Sequence, residues 1–205
     1  MSTAFTSLPR AESVSAIILA GGQAQRLGGL DKGLVELDGK RLIAHVLERL
    51  TGQVDEILIS ANRNLDVYAD YGWPVVPDGE SGYPGPLAGI LAGAGQARHD
   101  WLLVVPCDTP FLPETLAERM LDRGRMAAVP LVRAGDATRI HYAVMLLHRT
   151  LVADLTGWLK AGERRVQAWQ ARHAHTEARF EEPPWAFLNI NTPEDLRQAE
   201  SHLRR

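Results

Sequence analysis

A chain of 205 residues with 22 basic and 25 acidic side chains and a formal net charge of −3 has room for one sizeable core and lacks the positive excess of a nucleic-acid surface. Its apolar runs are too short to span a bilayer. One cysteine, Cys107, excludes an internal disulfide and fits a reducing compartment, so a cytoplasmic globular protein that binds neither nucleic acid nor membrane is expected.

Residues 1–13 read as a loose polar arm, without the basic start and apolar stretch of a secretory signal. Ala16-Ile17-Ile18-Leu19 predicts a buried parallel strand. A glycine-rich loop follows it, with Gly21, Gly22, Gly28 and Gly29 and the cations Arg26 and Lys32. Residues 34–37 then lead to the turn pair Asp38-Gly39. Leu42, Ile43, Val46, Leu47 and Leu50 recur at helical spacing, and Gly52 stands where that helix would stop. Ile57-Leu58-Ile59 predicts a second strand, Pro74-Val75-Val76 a weaker one, and residues 87–97 a small-residue helix. Residues 101–105 predict another buried strand, ended by Pro106. The last third is less regular: a strand over 142–147, helices over 151–160 and 163–172, and a strand over 187–191. Thr192 offers an N-cap, with Pro193 at the first helical position and Asp195 three residues after the cap. Alternating strands and helices imply a mostly parallel sheet with right-handed crossovers, hence a single three-layer, Rossmann-like α/β domain.

Glycines after a buried strand bring bare backbone N–H groups against an anion, because no Cβ intervenes. Arg26 and Lys32 add two full charges, so the expected guest is a polyphosphate, although an ordinary strand-to-helix turn has the same local shape. The spacing is neither a Walker A loop nor GxGxxG. Asp108 follows the strand over 101–105, at the carboxyl edge where open α/β sheets bind ligands. It suits Mg2+ there, or else N-caps a helix starting near Pro113. Pro84 and Pro86 stiffen a loop in which Gly85 and Gly89 permit close approach, either of a ligand or of the next turn. Asn62 can donate and accept, as reading a base edge requires, yet Asx residues also serve turns locally. Arg164 and Arg165 suit an anion or a solvated helix face. Asn189 and Asn191 project from one side of their predicted strand. His173 and His175 fit a half-exposed strand better than a metal site, and Cys107 reads as a small packing residue.

The run from Leu19-Ala20-Gly21-Gly22 through Arg26 and Gly28 to Lys32-Gly33 resembles the signature loop of nucleotidyltransferases that join a nucleoside triphosphate to a phosphorylated acceptor. Within them the chain is most similar to the molybdenum cofactor guanylyltransferases. Pro106-Cys107-Asp108-Thr109-Pro110, Gly85-Pro86-Leu87-Ala88-Gly89, Gly162-Glu163-Arg164-Arg165-Val166 and Asn189-Ile190-Asn191-Thr192-Pro193 carry the similarity along the chain.

The resemblance implies transfer of GMP from GTP to molybdenum-molybdopterin, with release of pyrophosphate. It implies catalytic roles for Lys32, Arg26 and Asp108, with Asp108 holding Mg2+. Nucleotide contacts would come from Leu19, Ala20, Gly21, Gly22, Lys32, Ser60, Asn62, Asp78, Gly85, Pro86, Leu87, Gly89 and Asp108. Acceptor contacts would come from Arg164, Arg165, Asn189 and Asn191. Residues 14–125 would form the nucleotide half and 126–205 the acceptor half, with transient contacts to cofactor-delivering and cofactor-receiving proteins. The chain departs from the family in having Ser60 where Asn-x-Asn is common, which leaves the base contact open between Ser60 and Asn62. It also has His141-Tyr142-Ala143 where His-Pro-Thr is frequent. A related enzyme using CTP or a sugar phosphate, or a nucleotide-sensing module without turnover, stands as the alternative. Gly21-Gly22 favours the guanylyl branch, because cytidylyl relatives typically show Ala-Gly.

Overall fold

The computed structural model describes residues 12–21, 23–24, 30–78, 85–181 and 183–204. Gly22, Arg26, Tyr83, Pro84 and most of the N-terminal arm lie outside that set.

The first apolar run forms β1 (Val14–Leu19), buried along all but its last residue, as a strand covered on both faces must be. In the loop after it, β2 (Gln23–Ala24) pairs antiparallel with β3 (Leu30–Asp31). A short 3-10 turn, Lys32–Leu34, leads into the hairpin β4 (Glu36–Leu37) and β5 (Lys40–Arg41). Asp38 and Gly39 join these two strands, both at positive φ (52° and 74°), which is the geometry that makes Asp-Gly a tight hairpin signal. Then come α1 (Leu42–Leu50), β6 (Glu56–Ser60), α2 (Leu65–Ala69), β7 (Val75–Val76), α3 (Pro86–Gln96) and β8 (Trp101–Pro106). The remainder is α4 (Leu116–Ala127), β9 (Leu131–Gly135), β10 (Ile140–His148), α5 (Val152–Lys160), α6 (Val166–Gln170), β11 (His175–Arg179) and α7 (Pro193–Leu203).

Seven of these strands form one sheet in the order β11-β9-β10-β8-β1-β6-β7. Every neighbouring pair is parallel except those of β10, which runs antiparallel to β8 and β9. Alternate residues of each strand feed opposite layers. Ala16, Ile18, Leu103 and Val105 pack under α1 and α4, while Ile17, Leu58, Leu102 and Val104 pack under α3, α5 and α6. The result is the expected three-layer α/β sandwich. α3 lies close on its face because Gly93 fronts Ile17: a Cβ there would stand 2.8 Å from the Ile17 side chain. Overpacking of that kind costs about 1–3 kcal/mol. Among the described residues no helix is long and apolar enough to cross a membrane.

Two sequence expectations change, and one strand of the sheet has no clear local signal. Residues 187–191 join no sheet: Phe187 closes a turn in which the Leu188 amide donates to the Trp185 carbonyl (2.9 Å), and the residues after it are irregular, tied to the sheet edge by the Ile190 amide on the Asp108 carbonyl, 2.9 Å. Ile190 is buried among Val35, Leu37 and Phe111, while Phe187, Leu188, Asn189 and Asn191 border a cavity, so the apolar positions serve packing and not the two faces of a sheet. α6 starts only at Val166, because Gly162 ends the preceding helix at φ +86° and Arg165 is still extended. β9 was not legible, since Arg133 and Gly135 interrupt its apolar run. Elsewhere local chemistry is as read. Thr192 and Asp195 form a reciprocal capping box at α7 with Pro193 in the first turn, and β11 begins at His175.

Candidate active site

Strand register decides which side chains meet. Leu19, Ser60 and Pro106 are direct neighbours across β6, β1 and β8, so the residues that follow them leave the sheet at one edge. Ala20 N donates to the Ser60 carbonyl (2.8 Å) and Cys107 N to the Leu19 carbonyl (3.1 Å), which fixes the three exits together. Gly21, Asn62 and Asp108 therefore emerge side by side at the carboxyl end of the sheet, where open α/β folds bind ligands. A Cβ on Gly21 would lie 3.6 Å from Asn62 Nδ2. Asp78, beyond β7, donates its backbone N–H to Asn62 Oδ1 at 2.9 Å, so it too reaches this edge.

α3 brings its N-terminus to the same place. Gly85 precedes it at φ 110°, a conformation that a Cβ disfavours, and Pro86 opens the helix. Gly89 abuts the ends of β1 and β6: its Cβ would stand 2.6 Å from Ser60 Oγ and 3.0 Å from Leu19 Cδ2. Ser60 is thus sealed beneath α3, and Leu87 is buried as well. Gly85, Pro86 and Asn62 are exposed. Any contact from the buried Leu87 or from Gly89 to a ligand would have to come from the backbone, whereas Leu19 is only partly buried.

Asp108 is the buried charge of the site, 3% exposed. Burial holds its carboxyl above the ordinary carboxylate range, opposed by the Lys32 ammonium that forms an ion pair with Oδ2. Oδ1 is buried and has no hydrogen-bond partner among the described residues. The alternative reading of Asp108 as a helix cap does not survive: α4 starts eight residues later, after Thr115. Cys107 is buried with its thiol pushed up by desolvation, and packs rather than reacts.

Lys32 also donates to Asn191 Oδ1. Asn191 in turn is held from three directions. Its amide donates to Asp195 Oδ2 (2.9 Å), its Nδ2 to Asn189 Oδ1 (3.1 Å), and the neighbouring Ile190 amide to the Asp108 carbonyl. Asn189 and Asn191 border a cavity of about 420 Å³ that also meets Thr109, Arg139, His141 and Phe187. His141 stacks on Phe187 (4.5 Å between ring centroids) and binds Asp136 Oδ2 through Nε2 at 2.6 Å. The sequence marks His141 only as a departure from the family pattern, and nothing local to Thr109, Arg139 or Phe187 marks a pocket.

Arg164 and Arg165 are not brought to that cavity wall. Arg164 Nη1 donates to the carbonyls of Leu159 (2.9 Å) and Glu163 (2.7 Å), closing the end of α5, and Arg165 lines a separate depression with Val166 and Gln167. The link between the two places is indirect. Gln167 Nε2 donates to the Tyr142 hydroxyl and Gln170 Nε2 to the Tyr142 carbonyl, and Tyr142 sits in the register shift of β10 beside His141.

A glycine-rich loop, a lysine and a buried carboxylate thus meet at the strand ends of an α/β sheet, the edge where such folds bind ligands, and similarity to known proteins places the chain among the nucleotidyltransferases. The model of the MobA-like NTP transferase domain matches residues 16–176, and the chain belongs to that family. A molybdenum cofactor guanylyltransferase from Shewanella woodyi is 48% identical over 185 residues, spanning 90% of this chain and 94% of its own length. Among solved structures, molybdopterin-guanine dinucleotide biosynthesis protein A from Archaeoglobus fulgidus superposes with a TM-score of 0.80 at 22% identity, covering 93% of this chain and 98% of that one. A Mycobacterium tuberculosis H37Rv protein solved in complex with manganese has a TM-score of 0.70 at 16% identity, over 92% and 98% of the two chains. At these identities the solved structures speak for the fold alone.

Proposed function

We propose that this protein transfers GMP from GTP to molybdenum-molybdopterin, forming the guanine dinucleotide cofactor and releasing pyrophosphate. The observation that carries the proposal is the meeting of Lys32, Asp108 and Asn191: one ammonium joins the loop after β1, the carboxylate after β8 and the asparagine before α7. The long identity with guanylyltransferases supports the nucleotide and the acceptor.

In this reading the loop amides near Gly21 and the start of α3 cradle the triphosphate, with Gly22 and Arg26 contributing from outside the described residues. Asn62, not the buried Ser60, reads the base. Asp78 keeps Asn62 oriented through its backbone amide. The acceptor occupies the cavity beside Asn189 and Asn191. Its terminal phosphate oxygen, already ionised, attacks the α-phosphorus; the new O–P bond forms as the α–β bridging bond breaks and pyrophosphate leaves. The chain's task is alignment and charge neutralisation, and Lys32 lies where both substrates' phosphates converge.

The orphaned, buried Oδ1 of Asp108 fits a hard divalent cation. Among the described residues no group of three or more possible ligands surrounds it, so substrate phosphate oxygens would complete the shell. Mg2+, the usual ion in such an arrangement, would supply charge neutralisation on those oxygens. The test is thermal stabilisation by GTP, CTP, UTP and ATP with Mg2+, since a ligand that binds only the native state raises its stability. GTP should give the largest shift; an equal shift with CTP or UTP would remove the guanylyl assignment.

A further inference from the structure

Lys32 is a long, flexible side chain at the end of a glycine-rich loop, and something must fix its origin. The residue before it, Asp31, is buried and does not cap the turn that Lys32 begins. Its carboxylate instead accepts two bonds from distant sequence, from the Tyr68 hydroxyl (2.6 Å) and from Asn64 Nδ2 (3.0 Å). The residue after Lys32 meets the same phenol: a Cβ on Gly33 would stand 2.5 Å from Tyr68 Oη. One hydroxyl therefore bonds the residue before Lys32 and packs close against the residue after it. Tyr68 is itself fully buried, in the core cluster that contains Cys107 beneath the site, so its ring cannot yield. Asn64 adopts the left-handed conformation (φ 51°) at the start of α2, which an Asn tolerates and which turns its amide toward Asp31.

We propose that Tyr68, with Asn64, is a positioning residue for Lys32, acting through the Asp31 carboxylate and by close packing against Gly33. The proposal rests on the reading of Lys32 as the charge that stabilises the reacting phosphates. Burial and the Asp31 carboxylate both push the phenol above its ordinary range, so the hydroxyl stays a donor at every working pH. The same cluster joins α2, which follows the Asn62 loop, to the lysine loop. An ordinary buried hydrogen bond would contribute stability only; this one also sets where an ammonium reaches.

The test is a double-mutant cycle on the full chain between Tyr68→Phe and Lys32→Ala, reading kcat and KM for GTP from pyrophosphate release with molybdenum-molybdopterin, and the melting temperature. Tyr68→Phe keeps the ring and removes only the donor. It should lower kcat on the order of tenfold, the scale of a hydrogen bond to a charged group, with little change in KM. In the Lys32→Ala background it should have no further effect on kcat, because the group it positions is gone. Asn64→Gly, exposed and tolerant of the same backbone conformation, should move kcat in the same direction by less. Equal kcat losses from Tyr68→Phe in both backgrounds, or a fall in melting temperature with unchanged kcat in both Tyr68→Phe and Asn64→Gly, would overturn the proposal. A Lys32→Ala variant with wild-type kcat would instead overturn the role of Lys32, and the positioning role with it.

Discussion

Lys32 donates to the side-chain oxygen of Asn191, 159 positions further along the chain. The bond ties the loop after the first strand to the segment before the last helix, and it closes over the Asp108 carboxylate. In the proposed reading this joins the nucleotide half to the acceptor half. Asn189 touches Asn191 and borders the cavity proposed for the acceptor. A lysine set between two substrate sites is placed to balance the charge that builds up as two polyanions approach.

Asp108→Asn should lower turnover by at least on the order of a hundredfold, the scale for removing one preorganised charge from a transition state, while the melting temperature stays level or rises. Burial dominates the perturbation of Asp108, and a buried ion pair repays its desolvation poorly. The isosteric amide removes that penalty without leaving a cavity. Kinetics at limiting Mg2+ beside thermal melts will decide; near wild-type turnover would refute the assigned role.

Asn62→Ala should weaken GTP binding and narrow the preference for GTP over ATP, whereas Ser60→Ala should leave both unchanged. The reason is access. Asn62 is exposed at the strand ends beside Gly21, and Ser60 is covered by Gly89. Titration calorimetry with the two nucleotides distinguishes them, and a larger loss in Ser60→Ala would reverse the assignment.

For the acceptor, Asn189→Ala should weaken molybdopterin binding without changing GTP affinity. Asn191→Ala should also lower kcat, because it releases one of the two partners of Lys32. Arg165→Ala should have the smaller effect, since Arg165 lines a depression apart from the asparagine cavity. Equal acceptor losses in Arg165→Ala and Asn189→Ala would show that the two depressions act as one site.

The sheet's centre is legible because β1, β6 and β8 are buried on both faces, and strands so placed read as near-continuous apolar runs, with the buried polar residues Ser15, Glu56 and Ser60 near their ends. The Thr192 cap was legible because its chemistry is complete within four residues. Placing Asp108 at a strand end followed from the same apolar runs. What escaped was whatever depends on distant partners. β9 carries Arg133 because Glu177 of β11 faces it at 3.0 Å, a fact absent from its own five residues. The stretch at 187–191 mimics a strand because its apolar residues Phe187 and Ile190 are buried while Asn189 and Asn191 border a cavity. The Asp31–Tyr68 bond joins positions 37 apart, and no local pattern marks either residue. For the arginine pair, where the residues alone favour a solvated helix face and the resemblance implies an acceptor contact, sequence does not reveal that Arg164 donates to the Leu159 carbonyl at the end of α5.

Acid should destabilise the wall of the acceptor cavity through Asp136 and His141. Burial would raise the Asp136 carboxyl, but donors from Thr138, Arg139 and His141 outweigh it and hold it well below the ordinary range. Burial lowers His141, and the Asp136 bond offsets this only in part. Both groups therefore bind protons more readily when unfolded, so stability falls as pH falls. The His141 share is lost from about pH 6.5 downward and the Asp136 share from about pH 4 downward, starting at their unfolded values. Asp136→Asn should flatten the second limb in melts run between pH 7.5 and 3. Superimposable wild-type and variant curves would contradict this account.

The most direct measurement is pyrophosphate release from each nucleoside triphosphate, with Mg2+, in the presence and absence of molybdenum-molybdopterin. The account predicts release from GTP that depends on the acceptor and is abolished in Lys32→Ala/Asp108→Asn, with little from CTP, UTP or ATP. Comparable release from CTP, or GTP turnover indifferent to the acceptor, would contradict it.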